Sequence, residues 1–117
     1  LSMKKSFTGT IIEGSKKASA LGFPTANILV TEPVHGIYAG TVVVDEKEYF
    51  AALFGDEKRG LLEAYILNFS GDLYGRHATF TLLEKIREHG TFTDNETLKE
   101  AIAADVAHVK TYFSLPS

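Results

Sequence analysis

Six short runs of β-forming residues, each closed by a turn signal, constrain this chain more than any other feature. Residues 6–13 carry Phe7, Ile11 and Ile12 among β-formers and stop at Gly14. Residues 25–30 form a second extended run, ended by Thr31-Glu32-Pro33. A third covers residues 36–44, and the polar Asp45-Glu46-Lys47 makes a hairpin connection into a fourth over 48–53. The fifth, residues 61–69, sets Leu61, Glu63, Tyr65, Leu67 and Phe69 on one face and Leu62, Ala64, Ile66 and Asn68 on the other, because side chains alternate along a strand. The sixth, residues 77–84, alternates through Ala78, Phe80 and Leu82. Six such runs with turns between them predict an antiparallel barrel or sandwich.

The period changes near the C-terminus. Thr93-Asp94-Asn95-Glu96 reads as a capping box, with the Thr93 hydroxyl and the Glu96 carboxylate each satisfying the other's backbone donor. Leu98, Ala101, Ile102, Asp105, Val106 and Val109 then recur at helical spacing and predict an amphipathic helix to about Tyr112. Its apolar stripe must lie on the sheet. The expected fold is therefore mainly β with a C-terminal α-helix.

Composition bounds the function. At 117 residues, 44% apolar and 23% charged, the chain can bury one core without disulfides, and a single domain is expected over 3–117, with Leu1 and Ser2 standing outside it. A net charge of −3 leaves no basic excess for nucleic acid as the main partner. The absence of cysteine excludes disulfide staples, thiolate zinc sites and cysteine nucleophiles, and fits a cytoplasmic location. The start, Leu1-Ser2-Met3-Lys4-Lys5-Ser6, lacks the apolar stretch of a signal peptide, and apolar runs such as residues 49–54 are too short to span a bilayer, so no membrane partner is expected. His35, His77, His89 and His108 show no paired spacing for zinc, and neither a Walker motif nor Gly-x-Gly-x-x-Gly occurs.

The stretch Leu21-Gly22-Phe23-Pro24-Thr25-Ala26-Asn27 is the densest in chemistry. Proline fixes its own φ and pushes Phe23 toward extended geometry. If a strand follows Pro24, Thr25 and Asn27 share a face and set two neutral oxygens side by side, half a site for a hard cation. On pattern alone the pair reads first as a turn entering a strand, its side chains bonding nearby backbone. Glu63 is the second point of interest. It is an acid in a largely apolar row, where partial desolvation would raise its pKa and suit it to accept a proton from an alcohol; the other reading is an exposed charge near Asp56-Glu57-Lys58-Arg59.

These stretches, together with Gly36-Ile37-Tyr38-Ala39-Gly40 and residues 62–75 ending in Asp72-Leu73-Tyr74-Gly75, resemble the ATP-dependent riboflavin kinase (flavokinase) domain, which also forms the C-terminal half of bacterial bifunctional FAD synthetases. The resemblance covers nearly the whole chain in order, and Pro-Thr-Ala-Asn with Asp-Leu-Tyr-Gly is a specific pair of signatures. It implies a six-stranded antiparallel Greek-key barrel with the helix against it. It also implies transfer of the γ-phosphoryl group of ATP to riboflavin, giving FMN and ADP, with Mg²⁺ as cofactor; a small barrel of this type could work alone, and a monomer is expected. By resemblance Thr25 and Asn27 hold Mg²⁺, and Glu63 is the general base. The arc Gly14, Lys16, Lys17, Gly22, Pro24 and Thr25 binds the nucleotide, and Arg87 and Phe92 contact the flavin. Lys16 and Lys17 also read as solvated loop lysines, and Phe92 as a residue that staples the helix entry. Asp72, Tyr74 and Gly75 read as a tight turn.

Two departures from the family pattern stand out. Ser15-Lys16-Lys17-Ala18-Ser19-Ala20 replaces a more glycine-rich arc, in which backbone N–H groups close around phosphate more readily. Residues 51–60 keep Gly55 but lack the family's Asn, Pro and Thr, and the loop is short. A second hypothesis therefore stands beside the kinase: a divergent module that binds flavin or nucleotide without turning it over.

Overall fold

The structure is a computed structural model and describes residues 4–12, 25–69 and 71–116. Its strands are β1 (Lys5–Thr10), β2 (Thr25–Leu29), β3 (Ile37–Val44), β4 (Lys47–Asp56), β5 (Leu61–Ile66) and β6 (His77–Arg87), followed by helix α1 (Asn95–Tyr112). All pairings are antiparallel, in the order β1-β6-β3-β4-β5-β2. Strands β3, β4 and β5 are joined as consecutive hairpins and β6 returns beside β3, which is the Greek-key arrangement. The sheet curls into a half-barrel whose two edges meet at a bridge, where the Ile12 N–H donates to the Asn27 carbonyl at 2.8 Å. The expected barrel with a C-terminal helix is the architecture observed.

Alternation divides the side chains between two cores. The concave face carries Ala26, Ile28, Val42, Ala51, Leu53, Leu62, Ala64, Ile66 and Phe80. The convex face carries Ile37, Ala39, Ala52, Phe54, Tyr65 and Leu67, and α1 covers it with Ile102 and Val109. Phe50 of β4 stacks on Phe113 just past the helix, with ring centroids 4.1 Å apart.

Element ends differ from the sequence reading, each for a local reason. The hairpin after β3 needs only Asp45 and Glu46, both at positive φ (51° and 65°), so β4 begins at Lys47. It runs on through Phe54-Gly55-Asp56, well past the expected stop at Leu53. Strand β5 ends at Ile66 rather than Phe69 because Asn68 takes φ 55° and turns the chain, which sends Phe69 to the concave core instead of the row of Glu63, Tyr65 and Leu67. Strand β6 reaches Arg87 because register shifts opposite Ile37/Tyr38 and Ala39/Gly40 break its alternation while pairing continues; bulges of this kind bend a strand and re-aim its side chains. β1 closes at Thr10, yet the Ile11 N–H still donates to the Arg76 carbonyl at 2.8 Å.

The helix cap is one residue later than the capping box suggested. Asp94, not Thr93, is the N-cap; its carboxylate accepts from the Thr97 N–H at 2.7 Å, and that bond holds the Asp94 carboxyl below its ordinary range. A charged acceptor facing the positive end of the helix outcompetes a hydroxyl.

Gly55 marks where β4 passes under the 34–36 segment. Its N–H donates to the Gly36 carbonyl at 3.1 Å, and an added Cβ would lie 1.9 Å from the Val34 carbonyl oxygen. Backbone on both sides leaves no flexible end to give way. Gly55→Ala is expected to destabilise the fold by about 3 kcal/mol, the upper end for overpacking, as read from the urea midpoint at unchanged m-value.

Candidate active site

Among the described residues, two of the hollows at the sheet are lined by residues singled out in the sequence. The first, about 370 Å³, is lined by Ile37, Phe54, Gly55, Asp56, Glu63, Tyr65, Arg87, His89, Gly90, Thr91, Phe92 and Leu98. Its volume falls within the range of small-molecule sites, roughly 300–1,000 Å³. The rings of Phe54, Tyr65 and Phe92, with the carboxylates of Asp56 and Glu63, make it a slot for a flat, largely apolar ligand that carries a polar tail. The second, about 220 Å³, is lined by Thr25, Ile66, Phe69, Gly71, Asp72, Leu73 and Tyr74.

The β2–β5 register connects them. Asn27 lies directly opposite Glu63, and Thr25 opposite Tyr65, so all four residues share the convex face. Thr25 and Glu63 nevertheless line different hollows, and Asn27, level with Glu63 in the register, lines neither. Asn27 is 1% exposed, and its Nδ2 is the buried side-chain polar atom without a hydrogen-bond partner among the described residues. A buried donor without an acceptor costs free energy, so Asn27 Nδ2 marks a place where a further acceptor is expected.

Burial of Glu63 raises its carboxyl pKa; a hydrogen bond from the Tyr65 hydroxyl opposes that, and Asp56 adds to it. Tyr65 is 6% exposed and packs against Phe54 with ring centroids 4.3 Å apart. Burial and the adjacent Glu63 charge push its phenol up, so it stays protonated and donates to the carboxylate. The reading of Glu63 as an exposed loop charge does not hold.

Arg87 and Phe92, expected at the flavin, both line the first hollow, with the guanidinium 5.7 Å from the Phe92 ring centroid. Phe92 is not packed into either core. The nucleotide-binding arc of Gly14, Lys16, Lys17, Gly22 and Pro24 lies outside the described residues. Asp72, Tyr74 and Gly75 make the turn expected of them: Asp72 accepts from the Tyr74 N–H at 2.8 Å, and Gly75 sits at φ 83° and donates to the Ile11 carbonyl at 2.8 Å. Asp72 and Tyr74 also line the second hollow. Sequence reasoning missed Tyr65 and Asp105. The signals were there, a hydroxyl two residues from Glu63 on one face of a strand and an acid inside the apolar stripe of a helix.

The model of the family described as riboflavin kinase matches residues 1–113. This chain belongs to the riboflavin kinase (flavokinase) family. Among relatives, the bifunctional riboflavin kinase/FMN adenylyltransferase of Pseudomonas fluorescens is 37% identical over 110 residues, 85% of this chain and 35% of the relative. The chain thus spans about a third of that protein's length. The crystal structure of riboflavin kinase from Trypanosoma brucei superposes with a TM-score of 0.68 at 28% identity, covering 97% of this chain and 82% of the other. A structure described as a macrolide-efflux protein from Streptococcus pneumoniae aligns with a TM-score of 0.78 at 23% identity over 90% of this chain and 38% of its own, a likeness of fold alone.

Because folding raises the Glu63 pKa, its contribution to stability is fully present below its unfolded value and is lost as pH rises through the raised one. Glu63→Gln is therefore expected to raise the thermal midpoint at pH 7.5 without added nucleotide and to leave it unchanged at pH 4. Paired melts at the two pH values check this.

Proposed function

We propose that the chain transfers the γ-phosphoryl group of ATP to the 5′-hydroxyl of riboflavin, giving FMN and ADP, in a Mg²⁺-dependent reaction. The observation that carries this reading is a desolvated Glu63, lining an aromatic slot, directly across the sheet from a buried, unsatisfied Asn27 whose strand also carries Thr25 to a second hollow. Family membership supplies the reaction class.

In this reading the isoalloxazine ring enters the slot lined by Phe54, Tyr65 and Phe92, and the ribityl chain extends toward Glu63. The Glu63 carboxylate takes the 5′-hydroxyl proton as the oxygen forms its bond to the γ-phosphorus and the bond to the ADP oxygen breaks. Tyr65 holds the carboxylate through its hydroxyl and keeps the lone pair directed. Thr25 and Asn27 would hold Mg²⁺ through the hydroxyl and the carboxamide oxygen, which leaves the orphaned Asn27 Nδ2 to donate to a phosphate oxygen. When bound, the ion offsets charge on the β- and γ-phosphates. Both protein donors are neutral, and no cluster of three His, Cys, Asp or Glu side chains that could hold a metal occurs among the described residues. Ion and nucleotide are therefore expected to bind together, since the phosphates must supply the negative charge. The reaction fits a cytoplasmic monomer, and among the described residues no helix is long and apolar enough to cross a membrane.

The test is incubation with riboflavin, ATP and Mg²⁺ followed by chromatographic separation of flavins. FMN should form with the native chain and fall below detection with Asn27→Ala. Glu63→Gln should lower turnover by about 10² or more, the scale of a lost general base, with ATP affinity nearly unchanged. Saturable flavin binding with no FMN would instead identify a non-catalytic module. The hairpin at Gly55 favours keeping that second outcome in view, because it closes in a four-residue turn, residues 57–60, and brings only Asp56 as a polar side chain to the slot.

A further inference from the structure

Asp105 is a buried charge that the proposed chemistry does not use. It lies on the sheet-facing stripe of α1, is 2% exposed, and accepts two hydrogen bonds from Arg87, Nε to Oδ1 at 2.8 Å and Nη2 to Oδ2 at 2.7 Å. The third guanidinium nitrogen, Nη1, donates to the Glu88 carbonyl at 3.2 Å, and Phe92 lies beside the group. All three nitrogens of Arg87 are thus engaged by protein acceptors, so the side chain expected to contact the flavin is committed elsewhere. A fork-to-fork pair of this kind fixes orientation as well as distance. As a source of stability alone it is a poor choice, since a well-packed apolar pair of the same volume often does as well or better.

What the pair holds is a piece of the slot. Residues 88–93 pass from β6 to α1 without helix or strand, and His89, Gly90, Thr91 and Phe92 form one wall of the hollow that contains Glu63. Arg87 is the last residue of β6, and Asp105 is its anchor on the helix.

We infer that Asp105, acting through Arg87, is a positioning residue that fixes the 88–92 wall at the spacing a planar acceptor ring needs. This rests on the riboflavin reading of the slot. It assigns to Asp105 an effect on binding of the acceptor, with little effect on the chemical step or on the nucleotide.

The experiment is steady-state kinetics of Asp105→Asn and Arg87→Lys, with riboflavin affinity also measured by quenching of flavin fluorescence. Asn keeps the volume of Asp but loses the charge, and Lys keeps the charge but loses the fork. Each should raise the riboflavin KM and Kd about tenfold, equivalent to about 1.4 kcal/mol, with kcat within about threefold and the KM for ATP within about twofold of the native values. Either variant suffices should the other fail to unfold cooperatively. A native riboflavin KM and Kd in a folded variant overturns the positioning role, as does a fall in kcat with both KM values unchanged, which is the signature of fewer active molecules. A native chain that binds flavin but forms no FMN removes the kinase reading and leaves the fluorescence comparison to decide Asp105. A native chain that shows no quenching overturns the assignment of the slot and this inference with it.

Discussion

Everything at the site follows from strict alternation along β5. Leu62, Ala64 and Ile66 are committed to the concave core, with Leu62 and Ala64 at 0% exposure, so Glu63 and Tyr65 have only the convex face left. A slip of one residue would drive the carboxylate into the barrel interior and expose three apolar side chains; burial of that size forbids it. The same register pins β2, where Ala26 and Ile28 enter the core and force Thr25 and Asn27 outward. The juxtaposition of a carboxamide and a carboxylate is thus a by-product of core packing. It needs no interaction between the two groups to create it.

The electrostatics depend on how incompletely α1 covers the convex face. Ile102 and Val109 seal the part that includes Ile37, Ala39 and Ala52, and Phe113 extends the cover to Phe50. Toward Glu63 the helix gives way to the 88–93 segment, leaving a recess in which the carboxylate is mostly buried. Desolvation is accordingly the leading cause of the raised Glu63 pKa, ahead of the neighbouring Asp56 charge. The helix also carries its own buried acid, Asp105, which Arg87 meets with two hydrogen bonds. One acid is paired and the other is left poised. In the proposed reaction that difference separates a structural carboxylate from a reactive one.

The fold was largely legible in the sequence because period-two alternation is strongest where one face is fully buried, as in residues 62–66 and 78–82. It failed where the backbone departs from regular geometry. The bulges in β6 hide its last three residues, and left-handed Asn68 truncates β5 in a run whose side chains still alternate. The pairing of Glu63 with Asn27 could not be read, since register between strands distant in sequence is set by packing that no local pattern reports. Asp105 was visible as an acid in an apolar stripe, yet its partner lies 18 residues away on another element. The identity of Thr25 and Asn27 as candidate ligands came through family likeness; residue type alone favoured a turn.

A neutral pair beside a raised carboxyl makes a definite demand on the proposed reaction. Glu63 must be ionised to accept the alcohol proton, but triphosphate arriving next to it would raise its pKa further by like-charge repulsion. Mg²⁺ seated at Thr25 and Asn27 would offset that charge where the two strands meet, so the ion would serve the base as well as the phosphates. An aspartate in place of Asn27 would bind the metal more tightly in isolation, yet it would face Glu63 directly across the strand pair, where like charges are destabilising. The carboxamide avoids that conflict, and the ion then depends on the nucleotide for its charge balance. Neutrality at position 27 is in this view what allows a base to stand opposite a metal ligand.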